Sequence, residues 1–349
     1  MKTAPDPIGQ KKVVMGFDGF VDTLQNVIRD RADDGTKRYF RQIGEFGDYI
    51  SGKKGSGFSL ETETKLQKAG GNMPITAHAL ASQGFTVSCI GAMGFPALHP
   101  AFAAMHPRCS LHSFENPGIT SALEFVDGKM MLCEMAQLNR ADWNLVRSRI
   151  GLEKIREMLS GADLLCLLNW SELNGSTGFW TGLLSDIFPF IDRPKHIFAD
   201  LSDCSGRSPE AIGDMLSYLK ILGENSPVTL SLNRNETKIL AGISGIPVSD
   251  DLRDLGESLF PKLNVSELVL HSARISLAVN ADETVVIVPD HIEQPLITTG
   301  AGDHFNAGYC AAILSAESSR KRLQRANATA AYYMSTGQSP GRKNLPQFS

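Results

Sequence analysis

Four short apolar runs, Asp163 to Leu168, His196 to Ala199, Val228 to Leu232 and Glu267 to Leu270, are separated by stretches with helical periodicity. Strands that alternate with helices form a parallel sheet covered by helices on both faces, which confines the chain to the α/β class. Polar residues stand where the runs end: Asn169, Asp200, Asn233-Arg234-Asn235-Glu236 and His271-Ser272. One such residue is usually a turn. Several along one sheet edge line a cleft, because open α/β sheets bind ligands beyond the carboxyl ends of their strands.

The N-terminal part carries the same signals. Lys12 to Phe17 is a short apolar strand that opens into Asp18-Gly19-Phe20-Val21-Asp22, so Asp18 and Asp22 are either acceptors for ligand hydroxyls or turn and cap residues. Gly70-Gly71-Asn72-Met73-Pro74 leads into a helix through Ile75, Ala79 and Leu80 up to Gln83-Gly84, followed by a strand over Thr86 to Ile90. Asn72 there reads a hydroxyl or caps the helix. Residues 29 to 65 are polar; Lys37 to Ile43 alternates weakly as a solvated strand, and Gly52 to Gly57 lacks Walker spacing and reads as a mobile loop. Ser110 to Met135 is hairpin-like, with Asp127-Gly128 at its turn. With residues 35 to 46 it is expected to make a small β-sheet set apart from the α/β rhythm, placed as a lid.

Near the C-terminus, Leu296 to Tyr309 joins a short apolar run to a Gly300-Ala301-Gly302-Asp303 turn and then to a helix carrying Phe305, Gly308, Tyr309 and Ala312 on one face. Glycines let a ligand approach the backbone, and the free N–H groups of a first helical turn favour an anion. A carboxylate beside a phosphate is costly, and proton abstraction from an attacking hydroxyl is a reason to keep one there. The alternative is that Asp303 only caps the helix. Asn233 and Glu236, three apart at a helix start, hold a hydrated Mg²⁺ or form an Asn cap with a capping-box Glu.

A chain of 349 residues with 42% hydrophobic residues and a net charge of -4 has enough apolar residues for a sizeable core and no polyanion-binding surface, so a small molecule is the expected partner, with neither nucleic acid nor membrane. Cys89, Cys109, Cys133, Cys166, Cys204 and Cys310 form no Cys-x-x-Cys pair and mostly sit in apolar runs, as free thiols of a reducing compartment do. No signal-peptide core and no apolar stretch of ~18 residues is present, so the cytoplasm is expected and the Asn-x-Ser/Thr matches at Asn174, Asn235, Asn264 and Asn327 are chance. A dinucleotide oxidoreductase would need Gly-x-Gly-x-x-Gly after the first strand; the nearest match, at Gly300, lacks the third glycine.

In order and spacing these pieces resemble the ribokinase-like, or PfkB, family of carbohydrate kinases over nearly the whole chain. Asp18 resembles its sugar-contacting Asp, Gly70-Gly71 with Ala77 and Leu80-Ala81 its first glycine signature, Asn233 to Glu236 its Asn-x-x-Glu motif, and Thr299 to Phe305 its second signature. The resemblance implies a three-layer fold in one domain over 1–349, with a mostly parallel central sheet and a lid from about 19–66 and 110–136. It implies transfer of the ATP γ-phosphoryl to a hydroxyl of a sugar or nucleoside, with Asp303 as base and the amides of Gly300, Ala301 and Gly302 as anion hole. Asp18, Asp22, Gly70, Gly71, Asn72 and Asn169 would hold the acceptor. Asn233, His271, Ser272, Arg274, Thr299 and Asn327 would line the nucleotide site, and Asn233, Glu236 and Asp200 would order Mg²⁺. The family admits a homodimer through the lid, and a non-catalytic sugar-binding protein of the same fold is the alternative function. Three positions depart from the pattern: Ile75 replaces an Asn of the first signature, Ile297 replaces the acidic residue that begins the monovalent-cation site of some relatives, and His271-Ser-Ala-Arg-Ile-Ser replaces a glycine-bearing nucleotide loop.

Overall fold

The computed structural model describes residues 8–347. Strand β1 (Lys12–Phe17) ends at Asp18, and the chain crosses through Gly19 directly into β2 (Phe20–Arg31), so Asp22 lies inside a strand of 12 residues and is neither a turn nor a cap. β3 (Lys37–Tyr39) is short. The rest of the 35–46 segment expected as sheet enters a helix over Ile43–Gly52, because Phe46 buries against Val27, Phe40 and Leu123. Gly52 closes that helix and the residues behind it form a turn.

β4 (Glu61–Gly70) pairs antiparallel with β2, and β5 (Thr86–Gly91) follows the helix Asn72–Ser82. β6 (Cys109–Ser113) pairs parallel with β5, which puts the start of the expected lid hairpin in the central sheet instead. Only β7 (Gly118–Phe125) and β8 (Gly128–Glu134) make the hairpin at Asp127-Gly128. The small sheet therefore draws on 20–39, 61–70 and 118–134, with β2 at its centre between β3, β4 and β7.

β9 (Leu164–Leu167), β10 (Ile197–Asp200), β11 (Val228–Asn233) and β12 (Glu267–His271) fall on the four apolar runs. β13 (Ser276–Asn280) and β14 (Thr284–Ile287) extend the sheet antiparallel at one edge. The nine strands run in the order β14-β13-β12-β11-β10-β9-β1-β5-β6. The period of two sends Leu165 and Leu167 into one core with Trp170, Phe179 and Trp180, while Leu164 and Cys166 enter the other with Met73, Phe85, Phe305 and Tyr309. From β1 the chain builds outward through β5 and β6 on one side and from β9 to β12 on the other, so Asp18 and Asn169 stand at the switch point where ligands bind. The six cysteines are free; four are buried and Cys133 is exposed. Among the described residues, no helix is long and apolar enough to cross a membrane.

The helix Ala301–Leu314 presses against Ser319–Thr336 at Gly308, where an added Cβ would stand 2.6 Å from Thr329 Oγ1 and 2.8 Å from Ala326 Cα. Backbone on one side leaves little room to yield. Gly308→Ala is expected to destabilise the fold by about 1–3 kcal/mol, as overpacking does; urea unfolding with no loss of stability would show that the two helices can separate.

Candidate active site

Asp18 at the end of β1 is fully buried and accepts the N–H groups of Asn72 at 2.7 Å and Met73 at 2.8 Å. It thus caps the helix Asn72–Ser82 from another element, because the N-cap position belongs to Gly71, whose φ of 93° suits glycine and which has no side chain to cap with. Asn72 lies inside the helix, and its side-chain oxygen accepts from Ser202. Burial raises the Asp18 pKa to about 7 against the hydrogen bonds that lower it.

Asn169, held at φ 56° after β9, donates to Asp18 at 2.9 Å and to Glu172 at 3.0 Å. Its own Oδ1 is buried with no hydrogen-bond partner among the described residues. Glu172, three residues on, was not among the residues expected here. Gly70 sits against the Asp22 carboxylate, and cross-strand register puts Lys68 and Thr120 on either side of Asp22. Burial pushes the Asp22 carboxyl up, while Lys68 and Thr120 pull it back.

Asp303 lies in the first turn of Ala301–Leu314, behind Gly300 at φ 92°. Its Oδ1 is enclosed and unpaired. Burial raises the Asp303 carboxyl well above the usual range, and the charges of Asp200, Asp18 and Asp22 add to this while Lys68 opposes it. The three amides expected as an anion hole are not equivalent: Ala301 donates to the Thr298 carbonyl at 3.1 Å, whereas those of Gly300 and Gly302 have no partner among the described residues. A buried acceptor and free amides at a helix start together form a site for an O–H group next to an anion.

Asp200 ends β10 and accepts from Ser202 N at 3.0 Å and Asn306 Nδ2 at 2.7 Å. Asn233 and Glu236 form a full capping box, with Glu236 accepting from Asn233 N at 2.8 Å and Asn233 accepting from Glu236 N at 3.0 Å. The cap reading is therefore real, and it does not exhaust Glu236: burial first, then the charges of Asp200 and Asp203, push its carboxyl upward. A buried like-charged pair holds a proton or attracts a cation. Among the described residues no group of three or more His, Cys, Asp or Glu is placed to hold an ion directly.

A cavity of about 590 Å³ lies next to these groups, and its lining includes Asn233, His271, Ser272, Gly302, Phe305 and Asn327. His271 stacks on Phe305 at 4.7 Å, and burial lowers its pKa to about 4. Asn327 donates to Ser276 Oγ at 2.7 Å, and Ser272 Oγ closes its own turn with Ile275. Arg274 is exposed and Thr299 bonds Lys129 of the small sheet, and neither lines the cavity. Lys129 of β8 reaches Thr299 Oγ1 at 3.0 Å, and Lys68 of β4 reaches the Tyr333 hydroxyl at 3.4 Å. The small sheet thus bears on the phosphate-compatible loop through two lysines that motif spacing does not reveal.

The fold has counterparts among known proteins. The structure is similar to phosphofructokinase-2 from Escherichia coli in complex with potassium, with 15% identity, 96% of each chain covered and a TM-score of 0.64. It is also similar to a ribokinase from Thermotoga maritima, with 14% identity, 96% and 95% covered and a TM-score of 0.61. These establish the ribokinase-like fold. In sequence the chain is 28% identical over 357 residues to a ketohexokinase of Haloferax volcanii, spanning 100% of this chain and 93% of the relative. The family model described as prokaryotic ketohexokinase matches residues 1–349, and the chain belongs to that family of sugar kinases.

Proposed function

We propose that the enzyme transfers the γ-phosphoryl of ATP to a hydroxyl of a ketohexose such as fructose, with Asp303 as the general base. The unpaired Oδ1 of Asp303, beside the free amides of Gly300 and Gly302, carries this reading. The acceptor class follows the family's description and the relative's name. The acceptor hydroxyl gives its proton to Asp303 and its oxygen bonds to the γ-phosphorus, while the bond to the β–γ bridging oxygen breaks and ADP leaves. Gly300 and Gly302 amides hold the charge on the transferred group, and Asn169 Oδ1 accepts a second sugar hydroxyl. Glu236 and Asp200 would hold Mg²⁺ through water; when bound, the ion neutralises phosphate charge. A homodimer through the small sheet belongs to the same proposal, with the exposed Ile119 and Leu132 as its contact face; a monomer by light scattering at working concentration would remove it.

Purified enzyme with ATP, Mg²⁺ and a panel of ketoses, aldoses and nucleosides should form product fastest with a ketohexose. Tight sugar binding with no turnover for any acceptor would favour a non-catalytic role.

Asp303→Asn is expected to lower kcat by roughly 10²–10⁴-fold, the usual share of a general base, with sugar affinity nearly intact. The same variant reports on stability. Because the folded pKa of Asp303 is raised, the native state keeps a proton that the unfolded chain releases above about pH 4, so this group costs the wild type stability as pH rises. Asp303→Asn should therefore fall less steeply in stability between pH 5 and 8 by urea titration, both being values of about the range where carboxylates with raised pKa titrate. An unchanged slope would show that Asp303 is not held protonated.

Glu236→Gln keeps the capping box, which accepts Gln as well as Glu. It should raise the Mg²⁺ concentration needed for half-maximal rate while leaving thermal stability close to wild type. Unchanged metal dependence would leave Glu236 only its cap.

A further inference from the structure

Backbone carbonyls in a buried turn need hydrogen-bond donors or a cation. In the loop that carries the free amides, two carbonyls are met by side chains, that of Thr299 from a separate helix and that of Gly300 from His304 four residues on, whose own N–H also donates to it at 3.1 Å. Tyr333, on the helix Ser319–Thr336, donates its hydroxyl to the Thr299 carbonyl at 2.9 Å. His304 places Nδ1 at 2.7 Å from the Gly300 carbonyl and Nε2 at 2.8 Å from Ser339 Oγ. The two rings stack with centroids 3.6 Å apart and 11° between planes.

A carbonyl only accepts, so Nδ1 carries the proton and Nε2 accepts from Ser339. Burial supports that tautomer by lowering the His304 pKa to about 4, and keeps the phenol a donor by raising that of Tyr333 to about 12. The hydroxyl also receives Lys68 Nζ at 3.4 Å, which links the brace to the small sheet. Ile297, just before the loop, offers no carboxylate; its N–H and that of Leu296 face the Met334 carbonyl. A potassium ion at these carbonyls would compete with two formed hydrogen bonds and find no negative side chain at Ile297. The donor set does not fit a monovalent cation.

We propose that the stacked Tyr333–His304 pair is a built-in brace for the anion-hole loop, fixing the amides of Gly300 and Gly302 without a monovalent cation. Tyr333 and His304 act as positioning residues. The inference rests on the reading of that loop as the phosphoryl site.

Two measurements on the whole enzyme separate the brace from that reading. First, the thermal midpoint of the wild type is compared in potassium, sodium and choline chloride at equal ionic strength. No potassium-specific stabilisation is expected, and a clear one overturns the proposal whatever the acceptor sugar is. Second, Tyr333→Phe keeps the ring stack and removes the hydroxyl. It should lower kcat about tenfold or more with the sugar KM within about twofold, since a loosened anion hole affects the transition state. An unchanged kcat in a folded variant, or a wild-type rate that rises severalfold on replacing choline by potassium, overturns the brace. Absence of turnover with every acceptor tested would instead count against the proposed function, and the thermal comparison would still decide the brace.

Discussion

Burial of carboxylates at one sheet edge governs the middle of this molecule. Asp18, Asp22, Asp200, Asp303 and Glu236 gather at the carboxyl edge of the central sheet, and burial raises all five. A folded chain keeps such a cluster only if each member is answered by a donor, a proton or an ion. Asp18 is answered by the helix start at Asn72 and Met73, Asp200 by Asn306 and Ser202, Asp22 by Lys68 and Thr120, and Glu236 by the Asn233 amide. Asp303 is the member left with an unpaired oxygen. That inequality separates the structural carboxylates from the one free to take a proton.

The central sheet and the small sheet depend on each other through the same charges. Asp22 belongs to β2, yet its charge acts on Asp303 in the helix Ala301–Leu314, and Lys68 acts on both. Lys68 has its own pKa lowered by burial while Asp22 and Asp303 hold it up. Removing the small sheet would leave Asp303 facing only like charges. The small sheet therefore supplies, through Lys68, a counter-charge that lowers the cost of ionising Asp303.

Much of this was legible in the sequence where local pattern and tertiary role coincide. The runs at Leu164, Ile197, Val228 and Glu267 are buried on both faces, so they read as continuous apolar segments and became β9 to β12. The polar residues after them form one edge for the same reason. β4 was missed because Glu61 to Gln67 is largely solvated and its alternation is of Glu and Thr, not of apolar and polar residues. β6 was misplaced because Leu111 to Phe114 has the period of a strand, and a period of two does not say which sheet a strand joins. At the site, Asp303, Asn169 and Asp200 could be named from strand ends and helix starts. Lys68, Lys129 and Tyr333 could not, since each reaches the site by a side chain long enough to cross between elements, and Glu172 is met only through its bond with Asn169.

Those long side chains converge on one loop. Thr299 meets Lys129 through its hydroxyl and Tyr333 through its carbonyl, and Tyr333 meets Lys68. The amides of Gly300 and Gly302 are thus held from two directions, by the stacked rings of Tyr333 and His304 on the helix side and by two lysines from separate strands of the small sheet. An anion hole works by being fixed before charge develops, so that no reorganisation is needed when the phosphoryl group passes. On the proposed function, the lysines of the small sheet that would face the acceptor also tie down the backbone that would receive the phosphate.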